Sequence, residues 1–143
     1  MPTTKILIAV RDEAISMVEA ALEGYELIVP RDMAQAKKLL LENVINLFVI
    51  GILFDDSSAI DLITTVRLDS KQRNTPILVV RLMPSLYADL LRNMMRILKE
   101  LGTVSDYLEP DLADLDIKER IRAAVEQYLP ADKQVSQVGA CDQ

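Results

Sequence analysis

Five short apolar runs punctuate the chain: KILIAV (5–10), YELIV (25–29), NLFVIGIL (46–53), PILVVRL (76–82) and TVSDYL (103–108). Three of them are nearly unbroken Ile, Leu and Val, without the alternation of a half-wetted strand, which predicts strands covered on both faces. Between the runs, apolar residues recur at helical spacing. Asp12 is placed to cap a first helix that turns Ile15, Val18, Ala21 and Leu22 inward and stops at Gly24. Asp32 and Gln35 form a capping box for a second, with Met33, Ala36, Leu39 and Leu40 apolar. Ser58 opens a third through Ile60, Leu62, Ile63 and Val66; a fourth follows Pro84 and ends at Gly102; a fifth spans Leu115 to Leu129 and stops at Pro130.

Strand and helix thus alternate five times. Right-handed crossovers then give a doubly wound α/β domain, a parallel five-stranded sheet between two helical layers. The domain is expected over residues 1–130, with 131–143 an aperiodic tail. In such sheets the working site lies at the carboxyl ends of the strands. The exits to interrogate are Val10 to Asp12, Gly51 to Asp56, Arg81 to Leu82 and Leu108 to Pro110.

The fourth helical segment, SLYADLLRNMMRILKELG, carries two apolar stripes. At about 100° per residue, Leu86, Leu90, Met94, Ile97 and Leu101 fall in one arc, read here as the core face. Tyr87, Leu91, Met95 and Leu98 widen the arc to about 180°, more than one core face uses. Either the helix is unusually deep, or this second stripe meets a partner, an unidentified protein or a second copy of the chain; the interface is the expectation carried forward. Arg92 and Arg96, with Asp106 on the next strand, are expected to supply rim ion pairs.

Composition narrows the chemistry. Half of the 143 residues are apolar and the net charge is −6, which disfavours a general nucleic-acid surface. With one cysteine, Cys141, and no histidine, an internal disulfide, the usual zinc ligand sets and a His-based triad are all excluded. Neither GxGxxG nor GxxxxGK[ST] occurs, and four glycines leave little for a phosphate-cradling loop. No apolar stretch approaches the roughly 20 residues that span a bilayer, and MPTTKILIAVRDE does not read as a signal peptide. A cytoplasmic protein without a metal or cofactor is expected, and not an enzyme.

Four segments carry a resemblance. KILIAVRDEAISMVEAAL is similar to the opening strand and helix of response-regulator receiver domains, NLFVIGILFDDSSAIDLITTVR to their third strand, loop and helix, NTPILVVRL to the fourth strand, and GTVSDYLEPDL to the fifth. The chain resembles this CheY-like family over residues 4 to about 129, which implies a flavodoxin-like (βα)5 fold.

The family transfers a phosphoryl group from a histidine kinase to an aspartate, beside magnesium held by neighbouring carboxylates. The resemblance puts Gly51 at the acceptor position, Val10 and Arg11 at the acidic pair, Arg81 at the switch hydroxyl and Glu109 at the lysine. Only the switch aromatic is kept, as Tyr107. Magnesium requires hard oxygen ligands, and these exchanges nearly invert the charge pattern. The expectation is a pseudo-receiver that works by protein–protein contact through the face of its fourth helix, fifth strand and fifth helix. The alternative is a receiver that uses Asp55 or Asp56 as a non-standard acceptor. Arg81 is expected to fold across the vacated crevice toward Glu109 or Asp55, because a lone buried guanidinium is prohibitive.

Overall fold

The computed structural model describes residues 4–52, 54, 59–69, 71–81, 86–109 and 116–129. Ten elements alternate: β1 (Lys5–Ala9), α1 (Asp12–Ala21), β2 (Glu26–Ile28), α2 (Met33–Glu42), β3 (Leu47–Gly51), α3 (Ala59–Leu68), β4 (Ile77–Val80), α4 (Leu86–Glu100), β5 (Asp106–Leu108) and α5 (Ile117–Tyr128). The five strands form one sheet in the order β2-β1-β3-β4-β5, and every pairing is parallel.

Strand periodicity of two divides the core. Leu7, Ala9, Phe48, Ile50, Ile77 and Val79 face one side, where they pack with Met33, Ala36 and Leu40 of α2, Leu62, Ile63 and Val66 of α3, and Met95 of α4. Ile6, Ile8, Leu47, Val49, Leu78 and Val80 face the other, against Ala14 and Val18 of α1 and Ile121 and Val125 of α5. Both faces are therefore dry, which is why these strands lack polar alternation. The edge strands β2 and β5 are three residues each and only partly buried.

Element ends depart from expectation in understandable ways. β5 begins at Asp106, because the amides of Thr103 and Val104 turn back to the Leu98 carbonyl at 3.0 and 3.2 Å, closing α4. Gly102 has φ +82° in this turn, a conformation that favours glycine. Arg11, not Asp12, holds the N-cap position of α1, so Asp12 and Glu13 lie in the first turn, where a carboxylate favours the helix dipole. At α2 the Asp32 carboxylate accepts from the Gln35 amide at 2.8 Å, and Gln35 accepts from the Arg31 amide at 2.7 Å. The expected cap Ser58, the candidate acceptors Asp55 and Asp56, and the tail 131–143 lie outside the described residues.

The largest correction concerns α4. Met95, expected at a partner interface, is 0% exposed in the core, and Leu98 is half-buried against the same cluster. Met94, Ile97 and Leu101, expected inside, are 44%, 54% and 72% exposed. The side chains of Tyr87 and Leu91 lie outside the described residues. The helix is turned about 100° from the phase expected.

Two ion pairs accompany that phase. Arg92 Nε lies 2.6 Å from Glu109, and Lys99 Nζ lies 3.0 Å from Asp106. Seven helical residues rise about 10.5 Å, and three strand residues about 10 Å, so an antiparallel α4 aligns both pairs at once. The pairs therefore add to the packing of Met95 and Leu98 in favour of this phase. Arg96, expected in a rim pair, is exposed, and Lys99 pairs with Asp106.

Candidate functional site

The register gathers the strand exits at one edge of the sheet. Ala9 is paired with Ile50, Gly51 with Val80, and Val80 with Leu108, so Val10, Gly51, Arg81 and Glu109 follow one another across it. The Arg81 amide donates to the Leu108 carbonyl at 2.9 Å, and the Ile52 amide to the Val80 carbonyl at 3.1 Å, which extends the order past the strand ends.

The β1–β3 half of this edge is apolar. Val10 is 3% exposed. A Cβ on Gly51 would sit 3.4 Å from both Cα and Cγ1 of Val10, so the valine already lies against the glycine. Arg11 points its Nε to Glu13 at 3.4 Å. Among the described residues, no group of three or more acidic, Cys or His side chains is placed to hold a metal. A divalent cation wants several carboxylate or carbonyl oxygens, whereas this position presents a buried isopropyl group, a residue without a side chain and a guanidinium. The described residues at this position do not fit magnesium.

The β4–β5 half is polar and closely paired. Glu109 accepts from Arg92 Nε at 2.6 Å and from the Tyr107 hydroxyl at 2.8 Å, and Arg81 Nη1 lies 3.6 Å away. The same oxygen, Oε2, accepts both hydrogen bonds and faces the Arg81 guanidinium. Arg81 therefore reaches toward Glu109 as its burial requires, with 15% of its side chain exposed. Asp55, its other expected partner, lies outside the described residues.

Electrostatics follow this geometry. Burial alone would raise the Glu109 pKa, but hydrogen bonds from Arg92 and Tyr107 and the charges of Arg92 and Arg81 outweigh it and hold the carboxyl below its usual range. Burial and the bond to an anionic acceptor push the Tyr107 phenol far above its ordinary value, although Arg81 and Arg92 oppose this. The phenol is thus a committed donor. The arrangement binds its charges internally.

The strand order and dimensions can be matched to known proteins. No family model and no curated sequence matches the chain. Solved structures do. A phosphorylated cyanobacterial phytochrome response regulator, RcpA, superposes with a TM-score of 0.71 at 14% identity, covering 90% of this chain and 95% of its own. The fold is a CheY-like receiver.

Two further receiver structures agree. The chemotaxis response regulator CheY4 of Vibrio cholerae aligns at TM-score 0.68 and 15% identity over 89% of this chain and 99% of its own. The receiver domain of the sensor histidine kinase PA1611 from Pseudomonas aeruginosa, with magnesium coordinated in its active-site cleft, aligns at 0.68 and 14% over 90% and 99%. At such identities the likeness establishes the receiver fold alone. No helix among the described residues is long and apolar enough to cross a membrane.

Two contributors escaped the sequence reading. Arg92, expected in a rim with Asp106, holds Glu109, and Lys99 holds Asp106. The signal was present in the matched spacing of bases at 92 and 99 with acids at 109 and 106. Asp106 also accepts from the Tyr107 amide at 2.8 Å, and its charge, after burial, helps raise the Tyr128 pKa on α5. Asp106 thus acts on both flanking helices.

Proposed function

We propose that this receiver fold serves phosphorelay-type signal transduction without taking a phosphoryl group at the usual position, and works by contact with a protein partner. The observation that carries this reading is the pairing of Gly51 with Val10: the place of an acceptor carboxylate has no side chain and its neighbour is apolar. The clustering of Arg81, Tyr107 and Arg92 on Glu109 supports it, since groups that would answer a phosphoryl oxygen are already bound to an internal carboxylate. The contact face is the one formed by α4, β5 and α5, with Met95 removed from it by burial. A cytoplasmic location and the possibility of a homodimer belong to the same reading.

The test is direct. The protein is incubated with a small phosphodonor and magnesium and weighed intact, and no phosphoryl adduct is expected. An adduct lost on replacing Asp55 or Asp56 would overturn the reading in favour of a receiver with a displaced acceptor.

A further inference from the structure

We infer that the amino edge of the sheet, where α2, α3 and α4 end, is a docking face for a second copy of this chain. Helices that return over a parallel sheet bring their carboxyl ends to the amino edge of the strands. Leu41 lies in the last turn of α2 with Val44 just beyond it, Leu68 closes α3, and Leu101 follows α4. These are the four most exposed large apolar side chains among the described residues, at 64%, 65%, 77% and 72%. The strand order sets α3 between α2 and α4 on one face of the sheet, so Leu68 stands at the centre of the group.

The three helix ends are tied together, so the face is formed in advance. Lys71 Nζ donates to the Leu41 carbonyl at 2.9 Å, and the buried Gln72 side-chain amide donates to the Asn43 carbonyl at 3.0 Å. Arg67 donates through Nε to the Thr103 carbonyl at 2.9 Å, and through Nη1 to the carbonyls of Arg73 and Thr75. A face that needs no rearrangement loses less on association.

Charge selects the occupant. Arg81, Arg92 and Lys99 are taken up by carboxylates. At this end Lys38, Arg67, Lys71 and Arg73 pair with no carboxylate, and Glu42 and Glu100 pair with no base, among the described residues. Lys38 and Glu42 stand four apart on α2 and still do not pair. The Asp69 carboxylate accepts only the Lys71 amide, at 2.8 Å. Lys5 and its in-register neighbour Glu26 add one charge of each sign. The end is thus close to neutral on a chain of net −6, so two copies repel least when they meet here. A strongly acidic or basic partner would be matched by a rim of one sign, whereas a rim of both signs around an apolar centre matches itself.

A two-fold contact through Leu68 sets the α2 side of one copy against the α4 side of the other. Lys38 then faces Glu100 of the second copy, and Leu41 and Val44 face its Leu101. Helix axes about 10 Å apart give a face about 20 Å wide, smaller than a standard interface, so the dimer is weak, with a Kd of about 0.1 mM. The face of α4, β5 and α5 stays free, and the proposed partner contact stands or falls separately.

The full chain is followed by sedimentation equilibrium from about 10 μM to about 1 mM, where a monomer–dimer equilibrium is expected. Leu68→Glu, at a position too exposed to disturb the fold, should raise the Kd about thirtyfold or more, because symmetry counts the change twice. Ile97→Glu, on the exposed side of α4, should leave the Kd unchanged. Glu100→Lys should raise it about fivefold, and adding Lys38→Glu should restore it. A chain that stays monomeric throughout the range would overturn the inference. So would a dimer that survives Leu68→Glu but is lost in Ile97→Glu, which places the contact on α4. No recovery in the double variant would overturn the two-fold arrangement.

Discussion

The two halves of the carboxyl edge are closed in opposite ways. Between β1 and β3, Gly51 and Val10 close the edge with apolar contact and leave nothing to titrate. Between β4 and β5, Arg81, Tyr107, Arg92 and Glu109 keep the polar character of such an edge but satisfy it internally. An apolar closure is robust and insensitive to pH. A polar closure is directional, so it can hold a helix in one phase, and it is vulnerable to loss of a single member.

That contrast can be broken from either side. The largest effect is expected for Gly51→Asp, which drives a carboxylate into the space against Val10. With no cluster of cation ligands beside it among the described residues, the change should cost about 3–5 kcal/mol in urea unfolding. It should not create magnesium-dependent stabilisation, and a midpoint that rises on adding magnesium would show that the apolar half still supports a metal site.

Next comes Glu109→Gln, which removes the charge facing Arg81 and Arg92 while keeping an acceptor for Tyr107. A loss of about 1–3 kcal/mol is expected in the same measurement, against no change if the three contacts were incidental.

The pH dependence sharpens the same point. The folded Glu109 pKa lies below its unfolded value, so its stabilisation is present above the ordinary carboxylate range and disappears as pH falls through the lowered value. The gap between wild type and Glu109→Gln should accordingly narrow in acid. A gap constant from neutral pH downward would exclude the carboxylate as the source. In alkali, the raised Tyr107 pKa predicts one tyrosine ionising after the others in ultraviolet titration, an order that Glu109→Gln should partly relieve.

Smallest is Lys99→Ala. Lys99 is 52% exposed and its pair with Asp106 is screened, so a change of about 0.5 kcal/mol or less is expected in thermal unfolding. A larger loss would mean that the pair acts on α4 more strongly than its exposure allows.

Much of this architecture is legible in the sequence. Runs such as LFVI and ILVV, dry on both faces, announced central parallel strands, and caps at Asp32 and stops at Gly24 and Gly102 marked helices. Alternation then left few topologies, and the strand exits named Val10, Gly51, Arg81 and Glu109 as neighbours. The reading failed on α4. Its periodicity contains two stripes of nearly equal apolar content, and a helical wheel has no means of ranking them.

The chain by itself therefore determined the kinds of element, their order and the residues brought to one sheet edge, since these follow from local periodicity and the handedness of crossovers. Only the tertiary structure decided which face of α4 is buried and which cation meets which carboxylate. Those choices rest on contacts between elements separated along the chain, the packing of Met95 in the core and the pairs from α4 to β5, which local periodicity does not encode.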